Sequence, residues 1–282
     1  MKTGKLYLVA TPIGNLGDMS PRAVATLKNA GIIAAEDTRN SIKLLNHFDI
    51  RVPLTSYHEY NKIDKAYELI GKMHEGTDVA LITDAGMPAI SDPGEDLVRL
   101  CYEAGIEVTI VPGPSAVVSA LAMSGLSTRR FVFEGFIPTD KKEKEEVLER
   151  LRDETRTVVL YEAPHRLMKT LALLEQVLGG DRCISLVKEL TKLHERVIRT
   201  TLSEAQKMED PKGEYVIVIE GRDPQELVDR ERSEWSRLSV KEHVALYEAR
   251  GMSRKDAMKQ AAADRGVAKR DIYRECLEED DE

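Results

Sequence analysis

Short runs of Val, Ile, Leu and Ala alternate along this chain with stretches in which apolar residues recur every three or four positions. The first pattern fits strands and the second helices, so the alternation predicts an α/β protein with mostly parallel sheets. Strands are predicted at 5–10, 32–35, 78–82 and 106–111, with a short extended piece near 52–56. Helices fall between them. One begins at Pro21, with Ser20 as N-cap and Gly31 as stop, and others lie at about 40–48, 61–75, 94–104 and 115–123. The last of these leads out of a first domain, residues 1–123.

A second α/β domain, 124–222, is expected to hold strands at 131–133, 157–161, 182–187, 197–201 and 214–219, with helices at 141–152 and 165–178. Few residues separate its later strands, which predicts a mixed sheet. Residues 223–237 turn polar and read as a linker. The remainder, 238–282, carries three helical segments (240–249, 254–265 and 269–278) and ends in an acidic stretch expected to be a solvated tail.

Composition narrows the class. With 42% hydrophobic and 32% charged residues the chain reads as globular. Its most apolar stretch, 108–126, is interrupted by Pro112, Gly113 and Pro114, so no membrane span is expected. The apolar run at 6–10 is too short for a signal peptide core and stops at Thr11-Pro12, which points to the cytoplasm. Cys101, Cys183 and Cys276 lie far apart and show no metal-ligand spacing. They read as small hydrophobes, and no metal is expected. The net charge of −8 offers no global attraction for nucleic acid.

Ligands of open α/β sheets bind beyond the carboxyl ends of the strands. Three loops there are rich in Gly, Pro and small residues: Ala10-Thr11-Pro12-Ile13-Gly14-Asn15-Leu16-Gly17-Asp18, the stretch from Thr83-Asp84-Ala85-Gly86 to Asp92-Pro93-Gly94, and Val111-Pro112-Gly113-Pro114-Ser115-Ala116. Such residues let a backbone approach a ligand closely. None of the loops is a dinucleotide fingerprint or a P-loop. Taken with Ala35-Glu36-Asp37-Thr38-Arg39, Ser56-Tyr57-His58-Glu59, Tyr161-Glu162-Ala163-Pro164-His165-Arg166 and the 188–195 segment, they resemble the S-adenosylmethionine (SAM)-dependent tetrapyrrole methylase superfamily. More narrowly they resemble its branch of 16S ribosomal RNA cytidine 2′-O-methyltransferases.

The resemblance implies two α/β domains of the tetrapyrrole-methylase type with SAM in a cleft between them, and a homodimer. It implies that Pro12, Asp84, Ala85, Gly86, Ala89, Ser115 and Ala116 line the cofactor from the first domain, with Tyr161 and Leu190 closing over it. A ribose hydroxyl is a poor nucleophile and benefits from a base or a nearby cation. Lys188, Glu189, Lys192 and His194 follow a buried strand and are the candidates: a lysine for developing negative charge, Glu189 or His194 for the proton. Arg39, His58 and Arg166 are candidate RNA contacts, and Tyr57 and Tyr60 candidate base-stacking groups.

Against the acidic whole, residues 250–274 carry eight Lys or Arg and three Asp, a local charge of +5. Their helix–Gly266–helix pattern, with Ala261, Ala262, Val267 and Ile272 as buried positions, resembles a helix-turn-helix, and Lys269 and Arg270 are candidate RNA contacts. The expected partner is 16S rRNA or the small ribosomal subunit. Two other readings stay open: a methylase of a tetrapyrrole or other small molecule, and a non-catalytic RNA-binding factor of ribosome assembly.

Overall fold

The computed structural model of the chain describes residues 2–209 and 211–278, and the tail expectation beyond 278 lies outside them. Two compact units emerge, one of residues up to 151 with 157–220, the other of 152–156 with the chain from 221 onward.

The first unit contains both sheets. Strands β1 (Leu6–Val9), β2 (Ile32–Ala35), β3 (Leu54–Ser56), β4 (Val79–Ile82) and β5 (Val108–Val111) form an all-parallel sheet in the order β3-β2-β4-β1-β5. All four residues of β4 are buried, as a strand covered on both faces requires. On one face Val9, Ile33, Ala80 and Ile82 pack with Ala23 and Leu27 of helix α1 (Pro21–Asn29) and Leu45 of α2 (Thr38–His47). On the other, Leu6, Leu8, Val79 and Leu81 pack with Leu69 and Met73 of α3 (Lys62–His74) and Leu97 of α4 (Gly94–Glu103). Alternate residues of each strand thus serve opposite cores. The crossover from β1 runs to β2 on one side, while that from neighbouring β4 runs to β5 on the other. Adjacent strands whose crossovers diverge leave a crevice at their carboxyl ends.

Helix α5 (Ala116–Ser124) follows β5, and its apolar face packs on the second sheet. That sheet comprises β6 (Phe131–Phe136), β7 (Thr157–Glu162), β8 (Cys183–Lys188), β9 (Arg196–Thr201) and β10 (Tyr215–Ile219), ordered β6-β7-β10-β8-β9. It is mixed: β6 and β7 are parallel and the other pairs antiparallel. One face carries α6 (Lys141–Arg152), α7 (Pro164–Leu178) and the short α8 (Leu202–Ala205), around Leu160, Leu171, Leu186 and Ile217. The opposite face, Val159, Val187, Val216 and Val218, takes Val117, Ala120 and Leu121 of α5.

In the second unit the stretch expected to be a linker is a helix, α9 (Pro224–Trp235). Its polarity concealed good helix signals: the Asp223 side chain caps Gln225, Pro224 occupies the first turn, and Arg230 pairs with Asp153 at 2.8 Å. Helices α10 (Val240–Ala249), α11 (Arg254–Arg265) and α12 (Lys269–Glu278) bury Val244, Ala257, Ala261, Ala262 and Ile272 together. Val267, expected inside, is 45% exposed. Trp235 stacks on buried His243 with ring centres 4.0 Å apart. Burial lowers the pKa of that imidazole, and Arg265 donates to its Nδ1 at 3.1 Å. Cys101 and Cys276 are buried as expected, and burial pushes the Cys101 thiol up to about 12; Cys183 is exposed instead, at the start of β8. Among the described residues no helix is long and apolar enough to cross a membrane.

Candidate functional site

The loops after β1 and β4 are stitched together. The Thr11 N–H donates to the Gly86 carbonyl at 2.9 Å, and the Gly86 N–H returns to the Thr11 carbonyl at 3.1 Å. Gly86 sits at φ +88°, with Ile13 Cγ2 only 3.2 Å from where a Cβ would stand. Gly14 is needed for close approach: a Cβ there would lie 2.6 Å from Lys192 Cγ and 3.0 Å from the Leu190 carbonyl oxygen. The β1 loop therefore touches the segment that follows β8. Between the two sheets these loops enclose a cavity of about 520 Å³, within the ~300–1,000 Å³ typical of small-molecule sites.

Asp84, Ala85, Gly86, Ser115, Ala116, Tyr161 and Leu190 line the cavity. Pro12 and Ala89, expected beside them, are not on its wall. Pro12 is buried within the β1 loop, and the Ala89 N–H is taken up by the Asp92 carboxylate at 2.9 Å. Among the apolar wall residues that the sequence did not single out are Ile13, Met87, Ile90 and Phe136.

The backbone around the cavity is strained. Ala89, Ser91, Glu189 and Thr191 all have positive φ, between 50° and 66°. They flank Ile90 and Leu190, one from each sheet, both on the cavity wall. Left-handed conformations at such residues cost energy and persist only where their surroundings impose them. For the first pair the imposing group is Asp92, which accepts N–H bonds from Ala89 (2.9 Å) and Gly94 (2.7 Å). Burial raises the Asp92 pKa against the pull of those bonds. For the second pair, Glu189 Oε1 accepts from the Glu214 N–H at 2.9 Å, while Glu195 accepts from the Thr191 N–H at 2.7 Å.

Electrostatically the wall is one-sided. It carries Glu36, Asp84, Asp92, Glu162 and Glu214, with no Lys, Arg or His. Glu162 is satisfied by Thr170, the Ala163 N–H and Arg166, and Glu214 by Lys192 at 2.9 Å. Glu36, Asp84 and Asp92 have no ion-pair partner among the described residues. Desolvation, reinforced by Asp84, Asp92 and Asp37, raises the Glu36 pKa despite a hydrogen bond from the Thr83 hydroxyl at 3.1 Å.

The candidate acid–base group lies off the wall. Glu189 pairs with Lys192 at 3.0 Å, and its pKa is lowered, first by the Glu214 N–H and then by Lys192. Burial opposes the Lys192 charge, but Glu214 and Glu189 outweigh it and raise its pKa. Both side chains are thus held in their charged forms by each other and by Glu214, a poor arrangement for moving protons. Lys188 lies over the Tyr215 ring, 5.9 Å from its centre, and His194 is exposed.

Of the candidate RNA contacts, Arg166 turns inward, donating to the Ile137 carbonyl and pairing with Glu162. Arg39 is exposed but clasps Asp37 at 2.7 Å, and those bonds hold the Asp37 carboxyl down to about 2. His58 is half-buried against Tyr60. Tyr57 is fully buried with its hydroxyl on the Pro93 carbonyl, which removes it from base stacking, whereas Tyr60 is 97% exposed. Lys269 and Arg270 are exposed at the start of α12. Among the described residues no three His, Cys, Asp or Glu side chains gather as a metal site requires.

A sequence profile of the tetrapyrrole (corrin/porphyrin) methylases matches residues 5–206, spanning both sheets but for β10. This chain belongs to the tetrapyrrole methylase family. Within it, the chain is 46% identical to ribosomal RNA small subunit methyltransferase I of Synechocystis sp., over 98% of either chain. It is 50% identical to the protein so named from Halalkalibacterium halodurans, over 96% of this chain and 93% of that one. The Thermotoga maritima protein of the same name is 44% identical and matched along 100% of its length, which covers 78% of this chain. Solved tetrapyrrole-methylase-like folds align as well. Diphthine synthase superimposes with a TM-score of 0.64 at 15% identity, covering 77% of this chain and 90% of that one. Uroporphyrin-III-C-methyltransferase from Thermus thermophilus gives 0.55 at 19%, covering 76% and 94%. At those identities the likeness concerns the fold alone.

Proposed function

We propose that this tetrapyrrole methylase is a SAM-dependent rRNA methyltransferase of the small ribosomal subunit, acting on a cytidine ribose 2′-hydroxyl in 16S rRNA. The single observation that carries the cofactor assignment is the cavity wall, with five carboxylates, no basic side chain, and a remainder that is largely apolar with Thr83, Ser91 and Ser115 among it. A pocket lined by carboxylates without ion-pair partners favours a cation and repels phosphate. SAM fits that chemistry, having an adenine for the apolar surface, and ribose hydroxyls, a sulfonium and an ammonium for the acids. Its methionine carboxylate suits the first turn of α5, where Ser115 and Ala116 border the cavity and helix N–H groups favour an anion. A porphyrinoid carrying several carboxylates of its own meets repulsion from Glu36, Asp84 and Asp92.

SAM, when bound, supplies a methyl group on an electron-poor sulfur. Everything else falls to the chain. Ile90 and Leu190 grip from opposite walls, Asp92 holds the β4 loop in its strained shape, and the enclosed site orients donor and acceptor. Orientation alone supplies much of the rate of such a transfer. The acidic wall also holds the cationic donor more tightly than its product with a neutral sulfur, which favours release after transfer.

The substrate assignment rests on the named relatives and on the exposed basic residues of the second unit. Lys255, Lys259 and Lys269 are exposed and unpaired among the described residues. In this reading these helices add to RNA grip and not to the chemistry, which the first unit houses around its cavity. A cytoplasmic location and a homodimer belong to the same reading; sedimentation velocity tests the second.

The deciding experiment incubates the protein with methyl-labelled SAM and isolated small ribosomal subunits, then digests the RNA to nucleosides. Label in 2′-O-methylcytidine is expected. Label passed to a porphyrinoid and not to RNA overturns the substrate, and failure to bind SAM overturns the enzyme.

A further inference from the structure

The carboxylates on the cavity wall differ in how much of their hydrogen-bonding capacity is already used. Glu162 accepts from Thr170, the Ala163 N–H and Arg166. Glu214 is paired with Lys192, and Asp92 is committed to the N–H groups of Ala89 and Gly94. Asp84 accepts from the Asp37 N–H and the Asn40 amide, both at 3.3 Å. Glu36 is the exception. It stands just past the carboxyl end of β2, beside the crevice, and receives one donor, the Thr83 hydroxyl on Oε2. Glu36 lines the cavity, is exposed, and its other oxygen has no hydrogen-bond partner among the described residues.

We infer that Glu36 is a catalytic residue that accepts the proton of the acceptor hydroxyl during methyl transfer. This rests on the methyltransferase reading above. The step balances: an oxygen lone pair of the hydroxyl forms the new C–O bond, the sulfur–methyl pair returns to sulfur, and the O–H proton passes to Oε1 of Glu36, later leaving to solvent. The surroundings suit the role. Thr83 engages one oxygen and leaves the other without a donor among the described residues. Asp84 and Asp92 on the β4 loop and Asp37 at the start of α2 raise the affinity of Glu36 for a proton. The nearby cation Arg39 is bound to Asp37, and those facing from the second sheet, Arg166 and Lys192, are bound to Glu162 and Glu214. A base of raised pKa is a better proton acceptor than an ordinary carboxylate.

The test is Glu36→Gln in the full-length protein, a change that keeps the Thr83 bond. SAM affinity is measured by calorimetry, folding by thermal melting, and single-turnover methylation of small subunits as a function of pH. The expected result is a SAM Kd weakened by no more than about tenfold, since Asp84 and Asp92 still line the wall, a turnover rate at least about 100-fold lower, and loss of the acidic limb of the pH–rate profile. A Kd weakened more than tenfold with turnover preserved at saturating SAM overturns the proposal and makes Glu36 a cofactor anchor. Unchanged Kd and unchanged turnover overturn it also. The wild-type control separates the levels: if wild type methylates no small-subunit RNA, the substrate reading falls and this proposal with it, whereas a variant matching an active wild type sinks the Glu36 assignment alone.

Discussion

Asp92 gives the sharpest link between strain and function. Its carboxylate accepts two backbone N–H groups, from Ala89 and Gly94, and thereby keeps Ala89 and Ser91 at φ +66° and +59°. Bonds to a charged acceptor contribute ~1.5–3 kcal/mol each. The raised pKa of Asp92 means that desolvation offsets part of that sum. A net of about 2–3 kcal/mol remains to hold the loop, comparable to the ~1–3 kcal/mol that each left-handed residue costs. In Asp92→Ala the loop should relax, Ile90 should leave the wall, and the cofactor must then restore the strained shape at its own expense. SAM affinity is expected to fall about 30- to 150-fold. Asp92→Asn, which retains one good acceptor and carries no charge to desolvate, should fall in between. Adding Ala89→Gly and Ser91→Gly to Asp92→Ala removes the strain and should recover part of the loss. Calorimetric titration with SAM reads all of these. An Asp92→Ala protein that melts cooperatively and binds SAM within threefold of wild type would refute the reasoning.

Three further outcomes are expected. The folded protein holds the Glu36 pKa above its ordinary value, so its ionised form is disfavoured: the stability it contributes is complete below the unfolded carboxylate pKa and is lost as pH rises through the folded one. Without ligand, Glu36→Gln should therefore raise the melting temperature slightly near neutral pH, solvent screening of this exposed residue keeping the effect small, and the difference should shrink as pH falls; a variant less stable than wild type at neutral pH contradicts this. Gly14→Ala places a Cβ 2.6 Å from Lys192 Cγ and 3.0 Å from the Leu190 carbonyl, so it should displace the Leu190 wall and weaken SAM binding about tenfold, read by the same titration. Lys269 and Arg270 stand in the first turn of α12, where positive charge opposes the helix dipole. Converting both to Glu should stabilise the second unit slightly while weakening small-subunit binding about tenfold and flattening its salt dependence, with SAM affinity unchanged; loss of SAM affinity as well would deny the division of labour.

Much of the scaffold could be read from local pattern. Ser20-Pro21 starts α1 and Lys141–Arg152 is helical because capping residues and a 3.6-residue apolar period are properties of neighbouring positions. The same local logic failed at 224–235, where a helix without an apolar stripe resembles a linker until Arg230 meets Asp153. Tyr57 and Arg166 looked available for RNA since their sequence neighbours are polar, yet Pro93, Ile137 and Glu162, distant along the chain or around a turn, claim them.

The sequence alone determined that ligand-type loops end β1, β4 and β5, since Gly, Pro and small residues after a buried strand carry that information locally. Only the tertiary structure decided which side chains face the same space. Folding set Glu36, Asp84 and Asp92 around one cavity and withdrew Glu189 and Lys192 into a mutual ion pair. A charge's role depends on its neighbours within a few ångströms, and Glu36 meets Thr83 from 47 positions further along the chain.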